Sequence, residues 1–314
     1  METEYRLEKQ RHDFRSGFVA LLGRPNVGKS TLLNRLVGHP VAIATAMPQT
    51  TRSAIRGVVH MADSQIVLVD TPGLHVQVGR ARALNQQMNR QAEGAASDVD
   101  VVLLMVEAIG RGFTTEPTEE DRFVLDKLGR AGKPTLLVVN KVDLLKDSRA
   151  LEPVAEFYMS TGLFEGVLAL SALTGEGVER LLETLKKMIP AGPAYFPPEM
   201  FTDQPEQLLA AERIREQIIL QTGQEVPFST AVSIESFEPK KDITVIGAVI
   251  YCERESQRGI LIGRKGARLK SIGMRARESI EKILGKRVYL ELMVKVKSDW
   301  TKTSGGLRAV GMDE

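Results

Sequence analysis

Eight residues, Gly23-Arg24-Pro25-Asn26-Val27-Gly28-Lys29-Ser30, have the spacing of a loop that holds phosphate groups. Its glycines let the backbone curl until several N–H groups face one point, and Lys29 adds a cation that bridges β- and γ-phosphates. A helix opening at Ser30-Thr31 brings its partly positive N-terminus to the same place. The Ser30 hydroxyl is then a Mg²⁺ ligand. A second set, Asn140-Lys141-Val142-Asp143, names the base. The Asp143 carboxylate can accept from both N1–H and the 2-amino group of guanine. Adenine offers no such donor pair, and a buried carboxylate left unpaired is costly. Asn140 can brace the phosphate loop, and the Lys141 stem can lie over the base. Alone this foursome is weak; behind a phosphate loop it points to GTP and GDP.

Three further stretches complete the chemistry. Asp70-Thr71-Pro72-Gly73 places a carboxylate to hold Mg²⁺ through water and a Gly73 N–H to sense the γ-phosphate. Thr51, within Gln49-Thr50-Thr51-Arg52, is expected to ligate Mg²⁺ only while the γ-phosphate is present, with Thr50 as the neighbouring alternative. Ser171-Ala172-Leu173 has the composition of a loop whose backbone N–H reads the guanine 6-oxo group, and means nothing by itself. One part is missing. Ras-type enzymes carry a water-orienting glutamine straight after the Asp-x-x-Gly motif, and Leu74 stands there instead. An apolar side chain cannot orient water, so intrinsic hydrolysis should be slow.

These residues need a rigid frame, and the sequence supplies one. Apolar runs at 18–22, 65–69, 99–106, 134–139 and 167–170 read as buried strands, with helical patterns at 31–36, 119–128 and 178–188 between them. Strand–helix alternation with near-continuous apolar strands predicts an α/β fold, a mostly parallel sheet with helices on both faces. Four prolines within residues 190–198 break this pattern and read as a semi-rigid linker. The order then becomes α-β-β-α-α-β: a helix at 207–220, strands near 230–237 and 243–252, a short segment at 256–262, a helix to about 284, and an alternating strand from 288 to 297. Between the last two helices sits Gly263-Arg264-Lys265-Gly266. The boundaries are a tail at 1–16, a nucleotide domain at 17–189, a linker at 190–205 and a second domain at 206–314.

Composition narrows the partners. Hydrophobic content of 43% and charged content of 26% belong to an ordinary globular chain long enough for two cores. The net charge of +2 conceals thirteen Lys/Arg against four Asp/Glu between Ser256 and Lys302. A basic stripe around a Gly-x-x-Gly loop favours a nucleic-acid strand: the glycines permit close backbone approach, while Arg264 and Lys265 meet phosphates. Bases are expected along an apolar groove beside Ile260, Ile262 and the adjacent strand. The single Cys252 cannot form an internal disulfide, no run approaches the roughly 20 apolar residues of a membrane span, and the first residues do not read as a signal or transit peptide. A cytoplasmic location is the expectation.

Together, GRPNVGKST, QTTR, DTPGLH and NKVD, followed by a linker, a Gly-x-x-Gly module and a closing VYLELMVKVKSDW, resemble the bacterial Era GTPases from about residue 17 onward. The resemblance implies a Ras-like P-loop G domain followed by an α+β type II KH domain. It implies GTP hydrolysis to GDP and phosphate, and small-ribosomal-subunit maturation with the KH domain on the 3′ end of the small-subunit ribosomal RNA. It further implies a K⁺ ion near the γ-phosphate held by Asn26, a monomer, and a cytoplasmic location with some peripheral contact at the inner membrane. The competing reading is a membrane-peripheral signalling GTPase whose KH-like domain binds protein or lipid. The intact Gly263–Gly266 loop argues against it. A ribosome GTPase with two G domains is excluded by the single phosphate loop.

Overall fold

Five parallel-type strands and one antiparallel strand carry the nucleotide motifs at their ends. The structure is a computed structural model and describes residues 14–45, 47, 50–74, 82–108, 119–223 and 225–312. Gln49 and His75 of the motifs, and the tail up to residue 13, lie outside the described residues. The chain forms two compact units: of the described residues, 14–74 and 88–203 fall in the first, 82–87 and 204–312 in the second.

The first unit contains β1 (Arg15–Leu22), α1 (Lys29–Val37), β2 (Ile55–His60), β3 (Ser64–Asp70), α2 (Arg82–Ser97), β4 (Val101–Glu107), α3 (Glu119–Ala131), β5 (Thr135–Asn140), α4 (Glu152–Ser160), β6 (Gly166–Ala169) and α5 (Val178–Met188), the first residues of α2 excepted. The sheet order is β2-β3-β1-β4-β5-β6. Only β2 runs antiparallel, against β3. Because helices cover both faces, β3 and β5 are buried at every position. Each fully buried Val, Leu or Ile contributes about 1.5–3 kcal/mol, and two separate apolar layers form, one on each face. Register puts Leu21 beside Asp70 and Glu107 beside Asn140. Thus the ends of β1, β3, β4 and β5 meet along one carboxyl edge, where ligands of open α/β sheets bind.

Residues 190–203 are a strap tied to the first unit. Val58 N–H donates to Phe201 O at 2.9 Å, Gln65 Nε2 donates to Phe196 O at 2.7 Å, and Thr202 Oγ1 donates to Arg56 O at 2.5 Å. Phe18 packs on Tyr195 with ring centroids 4.9 Å apart, and His39 stacks on Phe201 at 4.3 Å. The strap thereby covers the edge strand β2, whose free backbone groups would otherwise invite pairing.

The second unit holds α6 (Glu206–Gln221), β7 (Thr230–Pro239), β8 (Ile243–Cys252), α7 (Glu255–Ile262), α8 (Ala267–Leu284), β9 (Arg287–Val296) and α9 (Ser304–Ala309). Its sheet runs β7-β8-β9, with β7 antiparallel and β9 parallel to β8. Ile214 and Ile218 of α6, Ile246 and Ile250 of β8, and Ile272, Ala276 and Ile280 of α8 share one core. Along β9, Val288 and Val294 turn into that core, with Leu290 and Leu292 half-buried beside them.

Candidate functional site

The phosphate loop is shaped by its glycines. Gly23 has φ +141°, and a Cβ there would stand 2.3 Å from the Met105 carbonyl oxygen. Gly28 has φ +100°, and its Cβ would fall 2.2 Å from Asn140 Nδ2. No side chain caps α1 at Gly28. Its first N–H groups are the orphan donors that phosphate oxygens satisfy. Lys29 is buried, with Nζ donating to Gly23 O and Arg24 O at 3.0 Å each. Burial lowers its pKa to about 8, against an upward pull from Asp70.

Ser30, Thr51 and Asp70 converge. Ser30 Oγ donates to Asp70 Oδ2 at 2.7 Å, Thr51 Oγ1 donates to the same oxygen at 3.0 Å, and the two hydroxyls are 3.0 Å apart. Three oxygens gathered at one point make a hard, all-oxygen donor set of the kind Mg²⁺ takes, with waters and phosphate oxygens completing the octahedron. Among the described residues no cluster of three His, Cys, Asp or Glu could hold a metal. Thr50 also lines the cavity, and Thr51 bonds Asp70. Gly73 fits against the phosphate loop, since a Cβ there would lie 2.7 Å from Pro25 N. Thr71 Oγ1 donates to Leu21 O at 2.7 Å, which ties β3 to β1.

At the base end, Asn140 spans two loops. Its Nδ2 donates to Val27 O at 2.7 Å, and its Oδ1 accepts the Ala172 N–H at 2.8 Å. Lys141 takes a left-handed φ of 67° and pairs with Glu107 at 2.5 Å. Asp143 is exposed at the cavity rim. The cavity has a volume of about 660 Å³. Its lining includes Pro25, Asn26, Gly28, Lys29, Ser30, Thr31, Thr51, Gly73, Asn140, Lys141, Asp143, Ala172 and Leu173.

Several motif residues support the cavity without lining it. The Arg24 side chain turns away to α3, where Nε lies 3.0 Å from Asp121 Oδ1. Burial, and then Asp121, push the Tyr158 hydroxyl pKa upward in the same cluster. Val27 is buried, Val142 N–H donates to Leu170 O at 3.3 Å, and Ser171 Oγ accepts from Thr174 N–H at 3.0 Å. Leu74 sends its side chain into the apolar layer and is 1% exposed. Sequence reasoning missed Glu107, Leu144 and the stretch Ile43-Ala44-Thr45, which also line the cavity. Glu107 follows a continuous strand and Leu144 follows Asp143 directly, so their positions held a signal; residues 43–45 carry none.

In the second unit, the Gly263–Gly266 turn needs left-handed backbone at three places: φ is 72° at Gly263, 51° at Lys265 and 78° at Gly266. Arg264 and Lys265 are exposed at its tip. A groove of about 420 Å³ runs from Gly266 between α8 and β9, lined by Leu269, Lys270, Gly273, Met274, Arg277, Tyr289, Leu290 and Leu292. Bases are expected beside Ile260 and Ile262, a surface distinct from this groove. Neither residue lines it: Ile262 packs against the core, and Ile260 O accepts from Arg268 Nη1 at 2.7 Å. In α7 Leu261 is buried in the core while Ile260 is 41% exposed, and α8 and β9 supply the apolar wall of this groove.

Known proteins resemble both units. Residues 18–141 match the family described as 50S ribosome-binding GTPase, and residues 225–301 match the KH domain. GTPase Era of Geobacter metallireducens is 45% identical over 95% of this chain and 98% of its own. GTPase Era of Coxiella burnetii is 44% identical over 95% and 98%. Among solved structures, Era in complex with MgGDPNP and nucleotides 1506–1542 of 16S ribosomal RNA matches with a TM-score of 0.89 and 36% identity, covering 96% of this chain and all of the other. A variant of Aquifex aeolicus Era bound to GDP and AlF₄⁻ matches with the same TM-score, identity and coverage.

Proposed function

The chain belongs to the GTPase Era family, and on that premise we propose a GTP-hydrolysing switch whose KH domain grips the 3′ end of small-subunit ribosomal RNA and assists small-subunit maturation. The observation that carries the proposal is the Ser30–Thr51–Asp70 convergence beside buried Lys29, on the same sheet edge as Asn140 and Asp143.

The residues divide the work. Lys29 exchanges its two backbone carbonyl partners for β- and γ-phosphate oxygens, and regains a full charge as it does so. Ser30, Thr51 and Asp70 would hold Mg²⁺, which would supply charge neutralisation on the β- and γ-phosphates. Hydrolysis adds water in line to the γ-phosphorus and breaks its bond to the β,γ-bridging oxygen, giving GDP and phosphate. Since Leu74 is sunk in the core, no side chain at that position orients the water, and the Gly73 N–H and Asn26 carry more of the task. Asn26 has a left-handed φ of 66° and lines the cavity. Held there, K⁺ would add positive charge where other GTPases bring an arginine. Asp143 selects guanine. No described helix is long and apolar enough to cross a membrane. In this reading the protein acts in the cytoplasm as a monomer, with any inner-membrane contact peripheral.

The test is a filter-binding titration against the 3′-terminal segment of small-subunit ribosomal RNA at several salt concentrations. The double change Arg264→Asp and Lys265→Asp should weaken binding and make its salt dependence shallower by roughly 0.7 in slope per lost phosphate contact. GTP affinity should stay unchanged. Undiminished RNA binding would refute the grip and favour the membrane or protein-binding role.

A further inference from the structure

A residue outside every motif holds the loop that follows β6. Arg35, in the last turn of α1, donates from Nε to Ala172 O at 2.6 Å and from Nη2 to Leu173 O. Gly175 leaves room for the guanidinium: it has φ +97°, and a Cβ there would stand 2.9 Å from Arg35 Nη1. From the other side, Asn140 Oδ1 accepts the Ala172 N–H. Ala172 is therefore fixed at both its N–H and its C=O.

Peptide planarity turns this clamp into a statement about specificity. The Ala172 C=O and the Leu173 N–H belong to one trans peptide, so they point in opposite directions. With the carbonyl turned to Arg35, the Leu173 N–H is directed away from it. Ala172 and Leu173 both line the nucleotide cavity, as does Asp143. The Ala172 N–H already serves Asn140, and among the described residues no acceptor takes the Leu173 N–H.

We propose that Arg35 is a positioning residue for guanine recognition: it orients the Ala172–Leu173 peptide so that the Leu173 N–H donates to the 6-oxo group of the base. The inference rests on the guanine reading given above and names the donor and what aims it. Arg35 itself does not line the cavity. Its effect should therefore be confined to bases that carry the 6-oxo acceptor.

Release and equilibrium binding of GDP and of 2-aminopurine riboside diphosphate, which lacks the 6-oxo group, test this in the full chain. Arg35→Ala should raise the Kd for GDP about tenfold, the order of one well-aligned hydrogen bond, chiefly through faster release. The Kd for the analogue should move by less than about twofold, because no 6-oxo hydrogen bond is there to lose. Arg35→Lys, which can reach one carbonyl, should recover part of the GDP affinity. Equal weakening of both nucleotides in Arg35→Ala, or no weakening of GDP, would overturn the positioning role while leaving the guanine reading intact. A parent protein that binds the analogue as tightly as GDP would sink the guanine reading itself, and this inference with it.

Discussion

Leu74 occupies the position where Ras-type enzymes orient water, yet it is 1% exposed and belongs to an apolar layer with Leu22, Ala92 and Ala96. A pocket of about 140 Å³, partly open to solvent, lies against it, lined also by Glu93 and Lys127. Leu74→Ala removes three carbons from that layer and leaves their space unfilled. The cost for such a change in a well-packed core is about 3–4 kcal/mol. For a unit of this size each kcal/mol lowers the melting temperature by about 2–4 °C, so a drop of roughly 6–16 °C is expected in a calorimetric scan. Single-turnover GTP hydrolysis, measured well below the transition, should stay within about twofold of the parent, since uncoupled packing and chemistry respond separately. Leu74→Gln should be no faster, because its amide would be buried among aliphatic side chains at a further cost of about 1–3 kcal/mol. A variant that melts like the parent but hydrolyses GTP more than about tenfold slower, a change worth about 1.4 kcal/mol of barrier, would refute this. Leu74 would then act at the γ-phosphate.

Asp143→Asn should weaken GTP binding and relax discrimination toward xanthosine triphosphate, which presents a carbonyl where guanine has its amine; calorimetric titration with both nucleotides would expose an unchanged preference. Lys29 titrates near pH 8 in the nucleotide-free protein, below its ordinary value of 10.5, and phosphate contact must restore the proton. GTP affinity should therefore fall as pH rises through about 8 in a titration series. The burial cost of the charged ammonium is present in full below that pH and is relieved between it and 10.5, so the nucleotide-free protein should gain stability across that window. A flat affinity profile would mean another cation meets the phosphates. Replacing K⁺ by Na⁺ should slow turnover if Asn26 holds the ion; equal rates in both salts would contradict that role.

The motifs were legible because their chemistry fixes residue type and spacing. Gly23, Gly28 and Lys29 follow β1, and Asp70 and Asn140 are the last residues of β3 and β5. The apolar runs marked the parallel strands because helices bury both their faces. β2 escaped notice since Arg56, Gly57 and His60 interrupt its apolar run. Likewise α2 is rich in Gln and Asn, so its apolar face is too thin to show a period. The strap at 190–203 was read as a linker from its prolines, but Gln65, Val58 and the ring contacts that tie it down lie far away in sequence. Supporting residues were hidden for the same reason. Arg35 and Glu107 act through partners 137 and 34 positions away, and no local pattern encodes such pairs. The groove between α8 and β9 was not legible, because Leu269, Gly273 and Leu292 meet in space and not in sequence.

The claim that this switch acts on the small ribosomal subunit is tested most directly by crosslinking the protein to RNA in living cells and sequencing what it holds. The account predicts crosslinks concentrated at the 3′ end of the small-subunit ribosomal RNA, lost in the double change Arg264→Asp and Lys265→Asp while the protein still binds GTP. Crosslinks scattered without regard to that segment, or unaltered in the double variant, would contradict it.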